Sequence, residues 1–183
     1  MDELTAFFQR VVAILSPAQA FVAVLCFVLG IILVIMGVRL FLITAEERSH
    51  AHHRRHGFWQ AAMYVAFGLL IISLDLTLSA WIASLYGSAN TTASAASEIM
   101  AYAPEMLAPV AGAPGEAILI ALVRVAQFIG LLAVVRGLFL CVKSADMPSQ
   151  GLMGKGFIHM IAGVMAVDLP RTVGLFENLF FGP

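Results

Sequence analysis

Charged side chains are scarce in this sequence: Asp, Glu, Lys and Arg make up 11% of its 183 residues, and ten Lys and Arg against eleven Asp and Glu leave a formal net charge of -1. So small and balanced a charge gives no global attraction to nucleic acid, and any electrostatic role must come from local clustering. Cysteine is also rare. Cys26 and Cys141 both sit inside apolar stretches, where a thiol acts as a small hydrophobe, and both are read as reduced. The catalytic signatures GxSxG, HExxH, CxxC and the P-loop are missing from the sequence. Ser73 and Asp75 stand two residues apart on what reads as a helix, so they point to different faces and form no hydrolase pair. Catalysis is therefore not expected. What the chain has instead is 61% hydrophobic residues and a mean hydropathy of +0.97. Soluble proteins hold about half apolar residues, so this is expected to be an all-α integral membrane protein.

A helical crossing needs about 20 mostly apolar residues. Four stretches qualify: Ala18 to Thr44, Phe58 to Tyr86, Ala117 to Val142 and Phe157 to Phe181. Upstream of them, Leu4, Phe7, Phe8, Val11, Val12 and Leu15 recur at helical spacing before Ser16-Pro17, which predicts a short interfacial amphipathic helix ending at the proline. The apolar stretch from Ala18 is too long for a signal-peptide core, and Asp2 and Glu3 precede it where a signal peptide is positive. The expected organisation is an N-terminal helix over 1–17, a first helical hairpin over 18–86, a linker over 87–116 and a second hairpin over 117–183.

Basic residues orient the hairpins. The first tip, 45–57, carries Arg48, Arg54 and Arg55, the second is flanked by Lys143 and Lys155, and 87–116 has no Lys or Arg. By the positive-inside rule both tips face the cytoplasm, and the termini and the linker lie outside, in the periplasm of a bacterial inner membrane. The linker is rich in Ala, Ser and Thr, with Pro104, Pro109 and Pro114, and permits a surface helix near 93–103.

The two hairpins are copies. Gly30, Val34, Gly37, Leu40 and Ala45 recur a hundred residues later as Gly130, Val134, Gly137, Leu140 and Ala145, and Gly57-Phe58 matches Gly156-Phe157 after a one-residue slip. Two crossings per copy make the repeats parallel rather than inverted. Gly30, Gly37, Gly130, Gly137 and Gly163 are candidates for close helix packing, within the chain or between subunits. Asp75, Arg136, His159 and Asp168 are the intramembrane polar candidates. Arg136 paired with Asp75 or Asp168 would staple the hairpins, and the same groups could line a wet pathway. Arg39 and Arg124 fall near span ends and are expected to snorkel. Asp168-Leu-Pro170-Arg171 should kink or break the last span, since Pro170 donates no backbone hydrogen bond.

The first tip concentrates Arg48, His50, His52, His53, Arg54, Arg55 and His56. Four imidazoles within seven residues raise zinc or nickel binding, but the interleaved arginines fit a basic patch better, one that meets anionic lipid, nucleic acid or an acidic protein face. No metal and no cofactor is expected.

Two resemblances follow. The segment Gly154-Lys-Gly-Phe-Ile-His159-Met-Ile-Ala-Gly163-Val-Met-Ala-Val-Asp168 resembles a motif of small inner-membrane proteins of type IVB secretion and conjugation systems, the IcmC/DotE/TraQ-like group, with Ala162 and Asp168 standing where that pattern has Gly and Asn. Each half also resembles a conjugative pilin, a two-helix hairpin with a basic cytoplasmic loop. The resemblances imply a non-enzymatic subunit that multimerises with itself into a conduit or pilus. Its partners would be other secretion-system membrane proteins, membrane phospholipid and transient DNA or protein cargo. The alternative is a stand-alone transporter or proton-coupled channel using the intramembrane polar residues.

Overall fold

The computed structural model describes residues 2–47, 56–86, 116–147 and 150–182. Every regular element among them is helical, as the composition predicts. In chain order these are α1 (Asp2–Glu47), α2 (His56–Ile72), α3 (Leu74–Tyr86), α4 (Glu116–Asp146), α5 (Leu152–Val167) and α6 (Leu169–Phe181). A helix satisfies every interior backbone group within itself, which an apolar sequence without polar partners requires. The few hydroxyls comply by bonding back onto their own helix: Thr44 Oγ1 donates to the Leu40 and Phe41 carbonyls at 2.9 and 3.0 Å, and Ser144 Oγ to that of Cys141 at 2.6 Å.

Among the described residues two helices are long and apolar enough to cross a membrane, over Arg10–Ala45 and Ile118–Asp146. Two helix pairs pass the same test only jointly, because each is bent: α2 and α3 by 90°, α5 and α6 by 96°. The described residues therefore hold two candidate spans, or four if each bent pair counts as one.

Three sequence expectations change. The separate amphipathic helix ending at Ser16-Pro17 is absent, because α1 runs from Asp2 to Glu47 with Pro17 inside it. The proline removes one backbone hydrogen bond, and the long apolar helix on either side absorbs that loss. The second span, expected to run unbroken, breaks at Ser73, whose hydroxyl donates to the Leu69 carbonyl at 2.8 Å beside the Ser73 N–H at 3.0 Å. Such back-bonding competes with the helix ladder and bends it. The break expected near Pro170 is present, at Asp168. The third change concerns the repeat register and follows from the glycine contacts below. The linker's proposed surface helix lies outside the described residues.

The described chain clusters into two compact units. One comprises Met1–Val22, Asp75–Val134 and Ile161–Pro183, the other Ala23–Leu74 and Val135–Met160. In the second unit, contacts link the helices in the order α1, α2, α4, α5. Glycines join α1 to α2 and α4 to α5, and Asp146 at the end of α4 joins it to α2. Phe41 and Phe58 close the base of the first hairpin edge-to-face at 5.2 Å. The second tip turns at Gly151, whose φ of 60° favours a residue without a side chain.

Candidate functional site

Glycines carry the closest contacts. A Cβ at Gly30 would lie 2.9 Å from the Gly68 carbonyl oxygen and 3.0 Å from the Ile72 nitrogen, and one at Gly37 would lie 2.9 Å from the Val65 nitrogen and 3.1 Å from the Ala61 carbonyl oxygen. In the second hairpin, a Cβ at Gly130 would lie 2.6 Å from the Gly163 carbonyl oxygen and 2.8 Å from the Val167 nitrogen, and one at Gly137 would lie 2.7 Å from the Gly156 carbonyl oxygen and 3.0 Å from the Met160 nitrogen. Backbone sits against backbone in both, the use of small residues that lets helices approach without a hydrophobic drive between them.

These contacts set the true register of the repeat. Ala61, Val65, Gly68 and Ile72 in the first hairpin do what Gly156, Met160, Gly163 and Val167 do in the second, a constant offset of 95. The same offset carries the break at Ser73 onto that at Asp168, buried Thr77 onto buried Thr172, and α3 onto α6, both of 13 residues. The Gly57-Phe58 match to Gly156-Phe157 is thus a coincidence of letters: Gly57 lies against the Thr44 side chain, whereas Gly156 lies against the Gly137 backbone.

Two polar clusters accompany the packing. Where the end of α4 meets the first turns of α2, Asp146 accepts from Gln60 Nε2 at 2.6 Å through Oδ1 and from the Tyr64 hydroxyl at 2.8 Å through Oδ2. This tie between the hairpins replaces the one expected from Arg136, which is exposed. The second cluster stands at the α5–α6 break. Buried Asp168 forms its ion pair with Arg171, at 3.5 Å, so its expected partner Arg136 is not the one it uses. Thr172 Oγ1 lies 2.7 Å from the Met165 carbonyl and 2.9 Å from that of Asp168. Carbonyls only accept, so the single Thr172 proton goes to them and the Tyr86 hydroxyl donates to Thr172. The Met165 carbonyl is one that the break deprives of its helical partner, so this hydroxyl repairs the interrupted ladder.

The remaining candidates scatter. Asp75 and Arg39 are exposed. Arg124 is half-buried, with its Nε and the Oε1 of buried Gln127 lacking a partner among the described residues. His159 donates from Nδ1 to the Lys155 carbonyl at 2.8 Å, which turns Nε2 outward from that bond. Cys26 and Cys141 are free thiols, and both are buried. Arg48, His50, His52, His53, Arg54 and Arg55 lie outside the described residues, and His56 opens α2. Among the described residues no group of three or more His, Cys, Asp or Glu could hold a metal ion. Sequence reasoning missed Gly68, Gly156 and Asp146. The seven-residue spacing of Gly156 and Gly163 was the available signal for one of them; Asp146 carried none, because its partners come from α2. Comparison with family models, curated proteins and solved structures finds no match to this chain.

Proposed function

We propose that this chain is a non-enzymatic structural subunit of a type IVB secretion or conjugation apparatus, which multimerises in a bacterial inner membrane into a conduit or pilus for DNA or protein transfer. The observation that carries this reading is a repeated packing: α1 on α2 and α4 on α5 bring backbone against backbone at corresponding glycines within one chain. Tandem parallel units suit a protein that adds further copies in the same sense. The segment that resembles the secretion motif forms most of α5, and its Gly156 and Gly163 face α4, so its letters fit the packing of an assembling hairpin.

In this reading the basic tip and the turn at Gly151 face the cytoplasm. From there α2 and α5, of 17 and 16 residues, rise about 25 Å, close to the thickness of the hydrocarbon core at about 30 Å. Their breaks then fall near the outer interface, where α3 and α6 turn aside. The basic loop supplies positive charge to anionic phospholipid heads or to passing nucleic acid.

The experiment is electron microscopy of full-length protein sheared from cells or purified in mild detergent. Filaments or rings support the assembling subunit, and dispersed monomers overturn it. One observation favours a second reading, a stand-alone transporter or proton-coupled channel: Asp168, Arg171, Thr172 and Tyr86 converge at a broken helix. That reading replaces the first if Asp168→Asn or Asp75→Asn alone abolishes transfer while assembly persists.

A further inference from the structure

The glycine faces are occupied within the chain, so an assembly has to be built through other surfaces. The contact between the two hairpins suggests which. It joins the second arm of the first repeat, α2, to the first arm of the second repeat, α4, and is sealed by Asp146 on Gln60 and Tyr64. Along each helix the stripe continuing from these residues is apolar and buried. Leu138 and Val142 on α4 are 0% and 5% exposed, and Met63 on α2 is 8% exposed.

The repeat offsets carry this contact onto the two outer arms. Asp146 maps to Glu46 on α1, while Gln60 and Tyr64 map to Lys155 and His159 on α5. The apolar stripes map as well: Leu138, Val142 and Met63 become Val38, Leu42 and Ile158. These counterparts are equally apolar, yet they are 47%, 67% and 67% exposed. Lys155 is exposed too. Among the described residues this junction is made once, and the apolar stripes of both its halves recur exposed on α1 and α5.

We infer that the α5 face bearing Lys155, Ile158 and His159 docks on the α1 face bearing Val38 and Leu42, with Glu46 four residues further along the sequence, of a second copy of this chain. The occupant is identified by continuity with the internal junction and by charge, because the cation Lys155 on α5, with His159 one turn on, stands where the neutral Gln60 and Tyr64 meet an acid. The contact is head-to-tail, so it propagates into a ring or a filament rather than stopping at a dimer. The opposite charges select this pairing over α1 with α1 or α5 with α5, each of which places like charges together. The inference rests on the proposed assembling subunit and names its contact.

The test uses the full-length chain in membranes of expressing cells, with Cys26→Ala and Cys141→Ala, and a short bifunctional maleimide. A chain carrying both Leu42→Cys and Ile158→Cys should give a ladder of multimers. Chains with one new cysteine each should give heterodimers when co-expressed and no product alone. Lys155→Glu should lower the ladder yield several-fold, and adding Glu46→Lys should restore it. A dimer from a single-cysteine chain alone overturns the head-to-tail contact. If the double-cysteine chain gives no product while native gels still show multimers, the contact lies elsewhere, these faces meet lipid, and the assembling reading stands. Monomers on native gels overturn both.

Discussion

At the scale of residues, the glycines divide sharply by what surrounds them. A Cβ at Gly163 would meet the Gly130 carbonyl oxygen at 2.6 Å, and neither backbone can yield without parting the helices. Gly163→Ala should therefore destabilise the second hairpin by about 1–3 kcal/mol, the usual cost of overpacking. Gly154, with nothing within 4 Å of a built Cβ, lies in the same helix. Gly154→Ala should be neutral or stabilising by a few tenths to about 1 kcal/mol through helix propensity. Thermal unfolding of the two variants in one detergent measures the contrast, and equal melting points would show that the close approach is not maintained. Thr172→Val removes the donor from the Met165 carbonyl and the acceptor from Tyr86, and should cost about 1–3 kcal/mol in the same assay because buried polar groups lose their partners.

Among the elements, the two bent pairs pose a question that the repeat itself answers. Pro170 explains the break at Asp168, yet α2 and α3 bend by 90° with Asp75 at the corresponding position. A proline is thus not required. The shared features are a polar residue at the break, Ser73 or Asp168, and a buried threonine four residues later, Thr77 or Thr172. Pro170→Ala should accordingly leave the 96° bend nearly unchanged. Pulsed electron paramagnetic resonance distances between spin labels on α5 and α6 would report it, and a straightened helix would return the cause to the proline. Only the second break was legible beforehand, because proline announces itself in a sequence and a hydroxyl bonding to its own helix does not. Similarly, Pro17 suggested an end that α1 does not have, since a single lost hydrogen bond is a small perturbation on a helix of 46 residues.

For the whole molecule, the distribution of Lys and Arg predicts an orientation that labelling can test. A cysteine placed at Gln150, beside the second tip, should react with a membrane-impermeant maleimide only after the cytoplasmic side is opened, whereas one at Gly182 should react from outside in intact cells. The reverse pattern would invert the topology and move the basic tip out of the cytoplasm. Neutralising Arg48, Arg54 and Arg55 together should weaken the orientation of the first hairpin and yield a mixed labelling pattern.

The all-helical class, the apolar character of the helices and the packing glycines Gly30, Gly37, Gly130, Gly137 and Gly163 were legible in the sequence, because hydropathy and small-residue spacing act along one helix at a time. Where those glycines point, the offset of 95 between the second arms, the bend at Ser73 and the tie from Asp146 to Gln60 and Tyr64 were decided only by tertiary structure. Each depends on residues of different helices meeting. The letters Gly57-Phe58 and Gly156-Phe157 agree along the chain, but register is settled by which backbone lies against which, and that places Gly156 opposite Gly137 as Ala61 stands opposite Gly37.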